Sequence, residues 1–166
     1  MQNNNIRLAQ IIDIQKIVEL INLAYRSGHG WTHENEIVSG DRTSEAQLKE
    51  LLAHSNFELF VLESQNQLIG CIGLTEFDEA IEIGSFAIDP LQQNSGRGRI
   101  LLEFAEQYTQ GKTLRMSVLN VRTELIAYYE CCGYRLTGEI ENYPLNKNVG
   151  KPLVDLNLVI LEKNSS

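Results

Sequence analysis

The stretch QQNSGRGRILLEF, Gln92 to Phe104, comes directly after the strand-like run AIEIGSFAID and opens a series of apolar residues at helical spacing. Two glycines and two arginines therefore occupy a strand-to-helix corner. A helix start presents N–H groups that lack intrahelical acceptors, together with the positive end of the helix dipole. Glycine adds no Cβ to keep a ligand away, so the corner is a place to hold an anion. Behind the helix, TLRMSVL alternates as a second strand. Two strands joined through a helix are parallel neighbours with a right-handed crossover, and their loop lies at the carboxyl end of the first strand, where open α/β sheets bind ligands. The fold class is α/β.

Two familiar phosphate loops are excluded by residue type. A Walker loop needs Gly-Lys-Ser/Thr, and here Gly98 is followed by Arg99 and Ile100. A dinucleotide fingerprint needs a third small residue, and the spacing from Gly96 and Gly98 delivers Leu101.

Toward the N-terminus, IRLAQI reads as a short strand, followed by a helix with Ile14, Ile17, Val18, Ile21, Ala24 and Tyr25 on one face. The polar loop GHGWTHENEIVSGDRT leads to Ser44, and Gln47 three residues on completes a capping box for a helix carrying Leu48, Leu51 and Leu52. FELFVLES, QLIGCIGL and AIEIGSFAID then form an antiparallel meander. The helix after the corner carries Ile100, Leu101, Phe104, Ala105 and Tyr108 on one stripe. Beyond TLRMSVL, a last helix holds Leu125, Tyr128, Tyr129 and Cys132, and Gly133 ends it. YRLTGEI and LVDLNLVIL close the chain as strands, with Val154, Leu156, Leu158 and Ile160 of the second alternating to one face. The expected order is β, α, α, β, β, β, α, β, α, β, β within a single domain spanning residues 1–166.

Composition narrows the function classes. The 166 residues are 43% hydrophobic and 22% charged, as in an ordinary globular protein. A net charge of −8 argues against nucleic acid as the main partner, since that affinity comes from neutralising phosphates with Lys and Arg. An acidic surface suits a cationic substrate, and serves solubility equally well. No apolar run approaches the ~20 residues of a membrane span, and three cysteines without ligand spacing point to a reduced, cytoplasmic setting. His29 and His33 are four apart, but no third ligand is indicated, so no metal is expected.

The pattern Gln93-x-x-Gly96-x-Gly98 after a strand ending in AIDP resembles the signature of the GNAT N-acetyltransferases. Three further features agree. EIGSFAIDPLQQNSGRG lies without a gap on the corresponding run of the family's histone acetyltransferase branch, which puts Glu82 on that branch's catalytic glutamate. YYECCGY, Tyr128 to Tyr134, looks like the family's segment after the last helix, with Tyr129 on the tyrosine often used as general acid. The element order is also the family's. One departure is Arg122, where many members carry Asn, although Asn120 lies close by.

The resemblance implies a central, mostly antiparallel sheet with a parallel central pair and flanking helices. It also implies a cosubstrate, acetyl-coenzyme A. Its pyrophosphate would rest on the main-chain N–H groups from Gln93, Asn94, Ser95, Gly96, Arg97 and Gly98 to Arg99. The two arginine side chains either add charge to the coenzyme's phosphates or form an ordinary solvated helix face. The pantetheine arm would run beside Ile83 to Asp89, taking main-chain bonds from Phe86 and Ile88, with the Phe86 N–H opposing charge on the acetyl oxygen. Glu82 would act as general base and Tyr129 as general acid, in direct attack by a primary amine of a small molecule or peptide. A non-catalytic acyl-coenzyme A sensor with the same fold is the alternative. Trp31, in the polar loop, would border the acceptor site or anchor the loop, and a homodimer through the last strands is common in such folds.

Overall fold

The structure, a computed structural model, describes residues 4–26, 38–39, 41–92, 96–144, 150–153 and 156–164. The strands are β1 (Asn4–Leu8), β2 (Val38–Ser39), β3 (Phe57–Ser64), β4 (Gln67–Glu76), β5 (Ala80–Ile88), β6 (Thr113–Leu119), β7 (Arg135–Asn142), β8 (Lys151–Pro152) and β9 (Asn157–Asn164). The helices are α1 (Ile14–Arg26), α2 (Glu45–Leu52), α3 (Arg97–Tyr108) and α4 (Thr123–Cys131). Apart from the small β2–β8 pair, this is the expected order.

Seven strands form one sheet in the order β1-β3-β4-β5-β6-β9-β7. Only β5 and β6 run parallel; every other pair in the sheet is antiparallel. Local chemistry explains several joints. Gln65 and Asn66, both at positive φ, make the two-residue turn between β3 and β4. Ser44 caps α2 by accepting from the Gln47 N–H at 3.2 Å. Gly133, at φ 99°, ends α4 in a Schellman motif: its N–H reaches the Glu130 carbonyl and the Tyr134 N–H reaches that of Tyr129, both at 3.0 Å.

The core has two layers, one on each face of the sheet. On one face Leu101, Leu102 and Ala105 of α3 and Leu125 and Tyr129 of α4 pack on Ile81, Ile83, Leu114, Met116 and Val118. On the other, Ile14, Ile17, Ile21 and Ala24 of α1 and Leu48 of α2 cover Leu59, Val61, Cys71 and Ala87. Burying one such aliphatic side chain is worth roughly 1.5–3 kcal/mol, so these stripes hold the helices where they lie. Strand β9 differs from expectation: it starts at Asn157, and Ile160 and Leu161 are both fully buried although they face opposite sides. Its position between β6 and β7, covered on both faces there, removes the one-sided alternation expected from 153–161. Val154 lies outside the described residues. Strand β7 is an edge strand whose eight residues are all exposed.

Candidate active site

The site begins where the parallel pair comes apart. β5 and β6 are in register only at Ala80↔Thr113, Ile81↔Leu114 and Glu82↔Arg115. Beyond Glu82, β5 stays paired with β4 and β6 stays paired with β9, so a gap opens between their carboxyl ends.

A bulge shapes the β5 side of that gap. The β4–β5 register passes from Gly73↔Gly84 to Cys71↔Ala87, so Ile72 faces both Ser85 and Phe86. Ser85 takes the left-handed conformation, φ 46°, and its carbonyl accepts from the Cys71 thiol at 3.1 Å. Burial pushes that thiol up to about 12, which keeps the proton the contact needs. The extra residue also reverses the alternation. Ile81 and Ile83 face α3 and α4 before the bulge, whereas Ile88 faces them after it and Ala87 turns to α1.

The same ladder orients the main chain. The Asp89 N–H donates to Ile69 at 2.8 Å, so by antiparallel alternation Ala87 directs its main-chain groups at β4. Phe86 and Ile88 direct theirs toward the gap. There the hydroxyl of Tyr25, from the end of α1, donates to the Phe86 carbonyl.

A cleft of about 530 Å³ occupies the gap. Tyr25, Arg42 and Glu82 line it from the α1 and α2 side, Met116, Leu125 and Tyr129 from the α3 and α4 side, with Phe86 along its edge and Glu141 and Tyr143 at the end of β7. Tyr129 is only 5% exposed. Its ring lies 6.3 Å from that of Phe86, 5.5 Å from Tyr128 and 6.1 Å from Tyr134. Burial first, then the neighbouring Tyr25 and Tyr128, raise its hydroxyl well above the usual tyrosine value, so it remains a neutral donor. Glu82 is exposed to the cleft, and its register neighbour Arg115 pairs with Glu139 and Glu162.

The glycine corner lies beyond the carboxyl end of β5. Gly96, at φ 81°, precedes α3, and a Cβ there would meet nothing within 4 Å. The first intrahelical bond is Ile100 N–H to the Gly96 carbonyl at 3.1 Å, so the N–H groups of Arg97, Gly98 and Arg99 precede the helical ladder. At Gly98 a Cβ would come within 3.1 Å of the Tyr128 hydroxyl and 3.6 Å of Phe86, so glycine lets the helix start approach β5 and α4 closely. The Arg97 side chain is buried, at 6% exposure, whereas Arg99 is exposed and faces Glu103 at 3.6 Å. Gln93, Asn94 and Ser95, and also His29, Trp31 and His33, lie outside the described residues.

Other expected positions have structural partners. Arg122 is buried before α4 with its Nε 2.5 Å from Glu124. Asn120 exchanges bonds with the Asn157 main chain at 3.0 and 3.1 Å, pinning β9 to the end of β6. Sequence reasoning missed two cleft residues. Tyr25 was legible only as part of an apolar helix face, and Arg42 only as one charge in a polar loop. Among the described residues no group of three or more His, Cys, Asp or Glu is placed to hold a metal ion, and no helix is long and apolar enough to cross a membrane.

Comparison with known proteins yields the same architecture. The ribosomal-protein-S18-alanine N-acetyltransferase from Escherichia coli superimposes with a TM-score of 0.72 at 20% identity, over 99% of this chain and 95% of that one. A GNAT family acetyltransferase from Elizabethkingia anophelis, solved with acetyl-CoA bound, gives 0.71 at 22% identity over 98% of each chain. The spermidine/spermine N-acetyltransferase from Vibrio cholerae, solved with manganese ions, gives 0.68 at 20% identity over 98% of this chain and 93% of that one. Among curated protein sequences none matches significantly. A family model described as the acetyltransferase (GNAT) family matches residues 14–134, a span that runs from α1 through the split strands and the glycine corner to the end of α4. The chain therefore belongs to the GNAT acetyltransferase family.

Proposed function

We propose that this chain transfers the acetyl group of acetyl-coenzyme A to a primary amine of a small molecule or peptide, by direct attack within a ternary complex. The observation that carries this reading is the cleft between β5 and β6, lined by Glu82 from one face of the sheet and by Tyr129 from the other. The residues present suit the coenzyme. The first turn of α3 offers main-chain N–H groups and a positive dipole end to a diphosphate, and Gly96 leaves open the space a side chain would fill. Arg99 adds an exposed positive charge on the same turn, while Arg97 contributes its main chain.

When bound, acetyl-coenzyme A supplies a thioester whose acyl carbon is open to a nucleophile. The main-chain groups of Phe86 and Ile88, turned toward the gap, hold the pantetheine arm along β5. Glu82 takes a proton from the incoming ammonium, directly or through water, because an ammonium has no lone pair with which to attack; such a base contributes roughly 10²–10⁴ in rate. The Phe86 N–H opposes the charge growing on the acetyl oxygen, and one fixed donor of this kind is worth ~10²–10³. Tyr129 gives its proton to the departing sulfur. Cys71 and Cys132 are both raised by burial and stay protonated, which supports direct attack over a covalent route through either.

The test is calorimetric titration with acetyl-coenzyme A, followed by thiol release with a panel of primary amines. Saturable binding and release that requires an amine are expected. Absence of binding together with no release for any amine overturns the reading.

A further inference from the structure

The cleft holds a cation that acetyl transfer itself does not call for. Arg42 lies just before α2, and its position is built rather than incidental. The side chain of Asn22, on α1, accepts from the Arg42 N–H at 2.8 Å and the Thr43 N–H at 3.0 Å, and donates to the Thr43 carbonyl at 3.0 Å. Thr43 is buried and Ser44 caps the helix that follows, so the main chain is held on both sides of the arginine. The guanidinium lies over the ring of Tyr25, 5.7 Å from its centroid, and Tyr25 is held in turn by its bond to the Phe86 carbonyl. A guanidinium carries its N–H donors as a planar fork, which suits a carboxylate taken in two parallel bonds.

Charge partners point the same way. Arg7, Arg99, Arg115 and Arg122 each pair with a carboxylate. No carboxylate among the described residues pairs with Arg42, although Glu82 and Glu141 line the same cleft. Within the cleft, Arg42 is thus a positive group beside two carboxylates with which it does not pair. Carboxylates together with one guanidinium in 530 Å³ complement a small zwitterion, not a polycation, whose second ammonium would face Arg42.

We propose that Arg42 binds the carboxylate of the acceptor, and that the acceptor is a small amino-acid-like molecule carrying its anionic group near the amine. The assignment rests on the acetyl-transfer reading of the cleft. The test compares kcat/KM for free α-amino acids, for the α-carboxamide of each, and for spermidine. At least one free acid should exceed its carboxamide by about 10–100-fold, the usual worth of a hydrogen-bonded charge pair. In Arg42→Met that ratio should collapse toward one, chiefly through KM for the acid, and Arg42→Lys should restore part of it. A second readout is calorimetric titration of N-acetyl amino acids and their carboxamides into the protein saturated with coenzyme A, in wild type and Arg42→Met. Acids binding more tightly than carboxamides, with the difference lost in Arg42→Met, support the assignment even if no amine is acetylated, in which case the acetyl-transfer reading alone fails. Acetylation that ignores the carboxylate or favours spermidine, or a ratio unchanged in Arg42→Met, overturns the assignment and leaves that reading standing.

Discussion

Replacing Tyr129 by phenylalanine removes one oxygen and leaves a ring whose contacts with Phe86, Tyr128 and Tyr134, at 6.3, 5.5 and 6.1 Å between centroids, can all persist. The fold should therefore change by about 1 kcal/mol or less, the usual net worth of a single hydroxyl bond. Turnover should change far more. If Tyr129 protonates the leaving sulfur, its loss lowers kcat by roughly 10²–10⁴. At ~1.4 kcal/mol per decade this adds about 3–5 kcal/mol to the barrier. The measurement is thiol release at saturating acetyl-coenzyme A and amine, paired with calorimetry for coenzyme affinity, which should stay close to wild type. Tyr128→Phe is the control: that hydroxyl lies against Gly98 at the start of α3, so its loss should alter coenzyme binding before it alters turnover. Burial holds the Tyr129 proton well past the ordinary tyrosine value, so wild-type activity should show no fall from its ionisation up to a pH of ~10. Turnover within a few-fold of wild type in Tyr129→Phe, or an equal loss of turnover in Tyr128→Phe, would refute the assignment.

Three further outcomes are expected. Tyr128, pushed up to about 12, and Tyr129 and Tyr134, likewise raised by burial, are all favoured as neutral groups in the folded chain. The unfolded chain loses those protons first, near pH ~10, so the melting temperature should hold below that value and fall as pH climbs toward the folded-state values; a flat Tm from pH 9 to 11.5 would contradict it. Asp13 is buried, paired with Arg7 and bonded to the Gln10 N–H, and these contacts lower its pKa. Its contribution is present above the ordinary aspartate range and lost as pH falls through the lowered value, so Asp13→Asn should cost ~1–3 kcal/mol in denaturant titration near neutral pH, with a smaller gap from wild type in acid; a constant gap would count against it. Gly96→Ala should cost ~1–2 kcal/mol because of its φ of 81° and not because of crowding, and Gly96→Asn should recover part of that loss; equal stability of all three proteins would remove the backbone argument.

Much of this molecule is legible in its residues because the relevant forces act over one or two turns of chain. The α1 stripe of Ile14, Ile17, Ile21 and Ala24 was readable from spacing, as were the Ser44 cap, the Gly133 helix end and the glycine corner before α3, each depending on residues within about four positions of one another. That the strands around α3 run parallel also follows from local order, through the handedness of the crossover. Other features depend on partners far away in the chain. Nothing near Ser85 announces that its strand will bulge against Ile72 and reverse its faces. Nothing near Leu119 says that β6 will follow β9 instead of β5, opening the cleft. Tyr25 and Arg42 lie 61 and 20 residues from the groups that fix them, Phe86 and Asn22. Periodicity assigns each residue a face, but only packing of the whole sheet decides which faces meet. The sequence by itself therefore determined most of the elements and the glycine corner before α3, and tertiary structure alone decided the cleft and the charges that line it.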